Sequence, residues 1–456
     1  MINVHLLTVS AAMPVTLAQH AAGTCYQAEM PTFGTHALNV DSQLFKVGHH
    51  TTMEHWEMTF EIEGIAVSDV TFGLHLTHPF YNSDQRSGRY CGAMFTNPNM
   101  LAIRKYITSL WPNVSDKMLE RILAFILRGI AIYQHNMALA TEIARKQLKK
   151  ERPFANDLFL ERNAPKIAQE QLRVFISTIF PTGLIHTIDL ITLVSLYESA
   201  WSPGMRLLTH KMVGAVLDKF PELHFMFDSK RRAANDWSPK RLENRSIIWH
   251  KPHLALERVV NNKLFVIPDK EDIHHVDRLQ FMPKYAQNNL GRMDTAVEMS
   301  VATMGQDQRH RTIARGEVSF TNGFYLPFVP LHCGLAEDAR TFIDEWLELE
   351  AILPGTLWTA IAPYGAMVTY EKSGSFNAVF HEQHKRLCWC AQEEIYNLAL
   401  MLRRGIERKF GSDSPLLRIF EPPCYGEGRC AEGPRYCGRD IGLRTFVNSY
   451  FVERKV

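Results

Sequence analysis

Between Asp228 and Lys251 the chain reads DSKRRAANDWSPKRLENRSIIWHK, where charge, Asn, Ser and Pro accumulate and the apolar periodicity found on either side stops. A chain of 456 residues interrupted near its middle is expected to fold as two units, residues 1–227 and 252–456, joined by a linker at 228–251. Both units run through the same order of elements. In the first, MTFEIEGIAVSDVTF carries Phe60 and Ile62, then Val67, Val70 and Phe72, a strand passing into a helix. Helical patterns follow over Asp116–Gln147, with Met118, Ile122, Leu123, Ile126 and Leu127 on one face, and over Lys166–Leu196. In the second, Met293–Met304 precedes a basic segment, an extended stretch covers Val318–Leu331, and helices are expected over Ala336–Glu350 and Phe376–Phe410.

Composition narrows what such a pair of units could do. Apolar residues make up 46% and charged residues 21%, a globular composition. Fifty Lys and Arg against 48 Asp and Glu leave a net charge of +2, so there is no global field to hold a polyanion. With no finger, helix-turn-helix or aromatic-basic interleaving, no nucleic-acid partner is expected, and any anion must be small and gripped locally. Eight cysteines are too few for a disulfide scaffold and point to a reducing, cytoplasmic setting. The apolar N-terminus lacks the basic start of an export signal, the first Lys or Arg being Lys46. Thr178–Trp201 carries Pro181, His186, Asp189 and Glu198, which reads as a buried helix; no membrane span is expected. Phosphate loops and GxGxxG fingerprints are absent.

Three segments concentrate chemistry. The first is HHTTMEHWEMTF at His49–Phe60 with NSDQRSGRY at Asn82–Tyr90, where Arg86, Ser87, Arg89 and Tyr90 set guanidinium forks, a hydroxyl and a phenol beside Gly88. The second is QRHRTIARGEVS at Gln308–Ser319, with three adjacent donors, Arg309, His310 and Arg311, suited to a diphosphate or an anionic flavin ring. The third is SFNAVFHEQHKRLCWCAQEEI at Ser375–Ile395, which spaces His381, Lys385, Arg386, Gln392 and Glu393 along a helix. Each alone fits a solvated basic surface equally well.

Taken together, MEH at Met53–His55 followed by Thr59 and Phe60, SGRY at Ser87–Tyr90, RHR at Arg309–Arg311 and RLCWCAQEEI at Arg386–Ile395 resemble the flavin-dependent thymidylate synthases, the ThyX family. That family's signature is RHRxxSxNxxSxRY, with LEHxxFTF upstream and LRxxxxAQWEI downstream. The departures from it alternate. Where the first half should show RHR it reads GLHLTHPF, with His75 or His78 as counterpart; where the second should reach SxRY it reads Ser319, Phe320, Thr321, Asn322. EQLRVFI at Glu170–Ile176 resembles the family's ExARxxLP segment and makes Arg173 a nucleotide residue. The family's later Arg position falls on Ala200 in the first half, and in the second the earlier one falls on Thr359 and the later on Arg386.

The resemblance implies an α+β fold made of two tandem ThyX-like α/β modules, long helices packed on small antiparallel sheets, a duplication whose copies have decayed in complementary ways. It implies dUMP or a related pyrimidine nucleotide as substrate, FAD as cofactor, NADPH and methylenetetrahydrofolate as co-substrates, and a homodimer that mimics the family's tetramer. Ser87, Arg89 and Tyr90 would hold the phosphate with Arg173 nearby. Arg386 would stabilise the ionised uracil, and Arg309, His310, Arg311, Thr51, Asn377 and His381 would hold the flavin, Asn377 standing where the family usually has Arg. Rival readings are a relative that transfers a one-carbon unit without reducing it, and a non-catalytic nucleotide-binding protein. Cys424, Cys430 and Cys437 match no standard zinc finger; joined by Cys388 and Cys390 they leave structural zinc and packed thiols both open.

Overall fold

The computed structural model describes residues 1–76, 81–89, 91–153, 155–232, 238–242, 247–262, 283–422, 424–425, 432, 436–437 and 451–456. Strand β1 (Asn3–Val9), β2 (Glu57–Ala66), β3 (Asn82–Gln85) and β4 (Pro181–Asp189) form an antiparallel sheet in the order β1-β2-β4-β3. In the second half, β5 (Lys240–Arg241), β6 (Ile247–Trp249), β7 (His253–Val260), β8 (Arg292–Ser300), β9 (Ala314–Arg315), β10 (Ser319–Tyr325) and β11 (Ala366–Ser375) make the other sheet. Read from its edge, that sheet runs β7-β8-β11 and then β9 and β10, all antiparallel, and β5 and β6 pair parallel with β10. Two of its short strands therefore lie in the segment expected as a linker, parts of which fall outside the described residues.

Alternation sets the faces. On β2 the side chains of Met58, Phe60 and Ile62 are buried, while Glu57, Thr59, Glu61 and Glu63 between them are not. Three strands hand over to helices through a capping side chain: Asp189 accepts from Thr192 N–H at 2.7 Å, Ser300 from Thr303 N–H at 3.2 Å and Ser375 from Ala378 N–H at 3.3 Å. The helix Asp116–Glu151 starts on Ser115, with Asp116 in its first turn and Lys149 and Lys150 in its last, each charge matched to the helix dipole. It is long and apolar enough to cross a bilayer, and in this fold it lies along the helix Asp157–Leu172 with Ile122, Phe125 and Ile126 in the core.

Some expectations are corrected. Lys166–Leu196 is not one helix: it ends at Leu172, and β4 follows before a new helix at Leu190–Ser199. Pro181 cannot continue a helical ladder, and Thr182, Leu184, His186 and Ile188 then alternate inward between β2 and β3. Val318–Leu331 is strand only to Tyr325; Pro327 caps a short helix, Phe328–His332. Phe376–Phe410 divides into Phe376–Arg386 and Glu393–Phe410, parted by a turn in which Ala391 N–H donates to Cys388 O at 2.9 Å.

The halves meet along a short antiparallel seam. Ser177 bridges Pro363; Thr178 N–H donates to Ala362 O at 2.8 Å, Tyr364 N–H to Ile176 O at 2.9 Å and Gly365 N–H to Val174 O at 2.9 Å. Around it the two halves share one apolar core, with Phe125 stacked on Phe342 at 4.5 Å and Phe175 against Phe324 at 5.5 Å. The helix Asp116–Glu151 presses on this seam at Gly129, where a Cβ would stand 2.0 Å from the Phe175 carbonyl oxygen. Gly129→Ala is therefore expected to destabilise the protein by roughly 3 kcal/mol or more, although alanine is about 1 kcal/mol the better helix former. Urea melts of the two proteins would show it, and a variant as stable as the parent would refute the close approach.

Candidate active site

After β3 the chain turns through Arg86–Cys91: Ser87 Oγ accepts from Arg89 N–H at 3.3 Å, and Cys91 N–H donates to Ser87 O at 3.0 Å. This turn aims Arg89 across to the other half. Its guanidinium pairs with Glu170 on the helix Asp157–Leu172 and donates to Cys390 O at 3.4 Å. Arg173, at the end of that helix, is buried; it donates to Gln392 Oε1 at 3.1 Å and lies over the Tyr364 ring at 5.3 Å. Gln306 donates to the same Gln392 oxygen, and Arg386 donates to Gln306 O. A Cβ on Gly88 would come within 3.5 Å of Arg173, so the SGRY turn, Arg173 and the AQEEI segment are neighbours.

Arg89, Arg309, His310 and Arg386 line one cavity of about 460 Å³. Arg152, Lys166, Lys385 and Arg454 add to its wall, so seven Arg and Lys side chains face two carboxylates, Glu170 and Glu432. One of those acids is already engaged with Arg89. Crowding cations in a half-dry pocket raises the free energy of the charged forms. Burial pushes Arg386 down to about 10, and burial with the charge of Arg454 does the same to Arg152. Both stay charged at neutral pH. The Nε atoms of Arg152 and Arg386 and Nδ1 of His310 are buried with no partner among the described residues. Unspent donors and excess positive charge suit an anion, whose binding would relieve both.

Under this cavity lies a buried ion network. Lys372 Nζ bridges Asp307 at 2.5 Å and Glu382 at 2.7 Å, Arg315 pairs with Asp307 at 2.7 Å, and Tyr370 Oη donates to Asp307 at 3.0 Å. Burial works to raise the Asp307 carboxyl, but Arg315 and Lys372 hold it well below the usual range. The network joins β9, β11 and the helix Phe376–Arg386, which fixes the base from which His310 and Arg386 project.

The structure distributes the expected site residues unevenly. Arg89, Arg309, His310 and Arg386 come together in the cavity, with His381 edge-on to His310 at 5.3 Å. Ser87 and Arg173 stand just behind the wall. Arg311 turns away, over the Tyr81 ring at 4.4 Å and toward Asn82 Oδ1 at 3.3 Å, while Arg309 also reaches Ser83 O at 3.1 Å. Asn377 is in the core, donating to Tyr285 O and Asn289 and accepting from Asn288. Thr51 is exposed on the turn Thr51–Glu54, which packs on the helices Pro14–Tyr26 and Leu190–Ser199 and not on the cavity. Tyr90, His78 and Cys430 lie outside the described residues. His75 is buried and bonds Ser83 Oγ at 3.0 Å. Ala200 and Thr359, where arginines are missing, are fully buried.

Sequence reasoning missed Arg152, Lys166 and Arg454. Lys166 stands alone in the sequence and Arg152 and Arg454 sit in short mixed-charge runs, KKER and ERK, that read as ordinary surface, so only Glu170, the first residue of EQLRVFI, gave a signal that was there to be read. Among the described residues no group of three His, Cys, Asp or Glu could hold a metal, and Cys424 packs against the second apolar cluster.

A pocket of arginines fed by both halves of an α+β chain has the charge and the free donors to suit a small anion. Residues 7–222, just under half of the chain, match the model of the family described as thymidylate synthase complementing protein. No curated protein matches the chain. Solved structures similar to it include thymidylate synthase X of Helicobacter pylori with FAD and dUMP, 16% identical, covering 51% of this chain and 99% of that one at a TM-score of 0.32. A second complex of the flavin-dependent enzyme from Helicobacter pylori with FAD and dUMP is 17% identical, covering 49% and 97% at 0.31. The UMP/dUMP methylase PolB of Streptomyces cacaoi bound with 5-Br dUMP is 15% identical, covering 50% and 94% at 0.30.

Because His310 is buried, and Arg386 faces it, its pKa lies well below 6.5 and the ring is neutral in the folded protein at pH 7. The unfolded chain takes up that proton as pH falls through about 6.5 while the folded chain does not, so stability is lost below that point by up to about 1.4 kcal/mol per pH unit. His310→Gln should remove this share of the acid sensitivity: melts at pH 7.5 and 5.5 should differ less in the variant than in the parent. Equal acid losses in both would contradict a buried, neutral His310.

Proposed function

We propose that the chain is a nucleotide-modifying enzyme that converts dUMP to dTMP in the manner of the flavin-dependent thymidylate synthases. The observation that carries this reading is that Arg89 of SGRY and His310 and Arg386 of the other half line the same cationic cavity. Arg89 and the neighbouring cations hold the 5′-phosphate through charge-assisted bonds. Arg386, cationic and with its Nε unspent, stands by the pyrimidine edge and stabilises the ionised ring whose C5 must attack. His310, neutral, offers an uncharged hydrogen-bonding face. No protein nucleophile is needed.

The fit to FAD is partial. Arg309, His310 and His381 can meet an anionic ring or diphosphate, whereas Arg311 and Asn377 are engaged elsewhere and Thr51 is exposed on a turn away from the cavity. When bound, reduced FAD supplies hydride, replenished by NADPH, and methylenetetrahydrofolate supplies the one-carbon unit. The strand order β1-β2-β4 in one sheet and β7-β8-β11 in the other, each with a short strand (β3 or β9) on the far side of the last, and the shared seam support the further proposal that the halves are diverged copies of one module. On that reading one chain supplies both walls of a working site, and a homodimer would carry two.

The test is mass analysis of the nucleotide after anaerobic incubation with FAD, NADPH, dUMP and methylenetetrahydrofolate. A product heavier by one methylene and co-eluting with dTMP is expected; unchanged dUMP would refute the reaction. Arg386→Ala should lower kcat by about 100-fold or more while flavin absorbance still co-purifies, and an undiminished kcat would remove Arg386 from the site. The engagement of Asn377 and Arg311 away from the cavity favours one second reading, transfer of the one-carbon unit to a pyrimidine nucleotide without reduction. The same mass measurement separates it, by a product that keeps the extra oxygen.

A further inference from the structure

The turn that parts the helices Phe376–Arg386 and Glu393–Phe410 reads Cys388-Trp389-Cys390-Ala391, closed by Ala391 N–H donating to Cys388 O. It folds the two thiols toward each other: they share a hydrogen bond, and the backbone N–H of Cys390 donates to the Cys388 sulfur. Cys388, Cys390 and, from the tail, Cys437 line the cationic cavity. Three consecutive carbonyls of this turn hold three of the cavity arginines: Trp389 O accepts from Arg152 at 3.2 Å, Cys390 O from Arg89 at 3.4 Å and Ala391 O from Arg454 at 2.9 Å. The turn is therefore a thiol pair and the scaffold of the anion pocket at once.

The hydrogen bonds from Cys390 lower the Cys388 thiol to about 7, with the nearby charge of Arg454 acting in the same direction. Cys390, as the donor, is pushed up. Cys388 is thus about half thiolate at neutral pH, while its neighbour keeps its proton. That division of roles matches a peroxidatic and a resolving thiol.

We propose that Cys388 and Cys390 form a redox-reactive dithiol that takes a small hydroperoxide as co-reactant, and that its oxidation disables the anion cavity. The Cys388 thiolate attacks the distal peroxide oxygen, breaking the O–O bond to give a sulfenic acid and an alkoxide or hydroxide, which takes a proton from water. The Cys390 sulfur then displaces the sulfenic hydroxyl as water, forming the Cys388–Cys390 disulfide; two thiols lose two electrons and the hydroperoxide gains them. Drawing the two sulfurs together within a four-residue turn rotates the peptide planes of Trp389 and Cys390, and with them the carbonyls that aim Arg152 and Arg89. This consequence for the cavity rests on the proposed nucleotide-binding reading; the thiol chemistry does not.

The full-length reduced protein, treated with one equivalent of hydrogen peroxide, blocked with N-ethylmaleimide and digested with trypsin, gives a direct readout. The peptide Leu387–Arg403 carries both cysteines. It is expected about 2 Da lighter than its dithiol form and closed to the maleimide until dithiothreitol is added. Brief iodoacetamide labelling at pH 7 should modify Cys388 about tenfold faster than the exposed Cys25. Cys390→Ser should leave Cys388 as a sulfenic acid that dimedone captures. A peptide with both thiols still alkylated after peroxide, or Cys388 cross-linked instead to the peptide of Cys437, would overturn the assignment. Oxidation should weaken dUMP binding at least tenfold, reversibly with dithiothreitol. An unchanged affinity after the disulfide has formed would overturn the coupling alone, whereas reduced protein that never binds dUMP would count against the nucleotide reading and leave the mass result standing.

Discussion

Everything at the site hangs on the seam where Val174–Thr178 of one half lies antiparallel to Ala362–Gly365 of the other. These few backbone hydrogen bonds are buried, so neither strand end can drift without leaving donors and acceptors unpaired in an apolar setting. The seam sets where β4 and β11 begin, and hence the registers of both sheets. It also places Arg173 one residue before the first bonded carbonyl, which points that guanidinium into the other half, toward Gln392. The stacked Phe125 and Phe342 and the pair Phe175 and Phe324 fill in around it.

A second constraint is electrostatic. Concentrating seven cations around one pocket opposes folding, and the fold offsets this in two ways. The arginines lean on backbone carbonyls and aromatic rings, as Arg152 and Arg454 do on Trp389. The acidic residues that might have neutralised them are spent beneath the floor, where Asp307 and Glu382 answer Lys372 and Arg315. The pocket is left short of negative charge by construction.

Local pattern made much of the fold legible. Asp116–Gln147 and Ala336–Glu350 are read correctly because a long amphipathic stripe, in the first case opened by the cap on Ser115, has few other ways to fold. Lys166–Leu196 misleads because β4, with Ile185 on its outer face, carries an apolar density close to that of the buried helix that follows it. The cationic members of the site were legible as motif fragments only where several sat together, as in SGRY and RHR. Arg152 and Arg454 are 302 residues apart in the sequence and meet on one tryptophan. Only tertiary structure brings such residues together. Motif position also says nothing of direction, so Arg311, next to His310, turns to Tyr81 and away from the pocket.

The cavity takes one wall from residues before position 180 and the other from residues after 300, all on a single polypeptide. In an assembly of identical subunits, every substitution appears on both sides of each symmetric contact, and the site dissolves on dilution. Covalent linkage removes both restrictions. The effective concentration of one wall near the other is fixed by the chain and not by the cell. Each wall can also change without forcing the same change on its counterpart. On the proposal that the halves are diverged copies, that freedom would let Arg386 stand on one wall without a twin on the other.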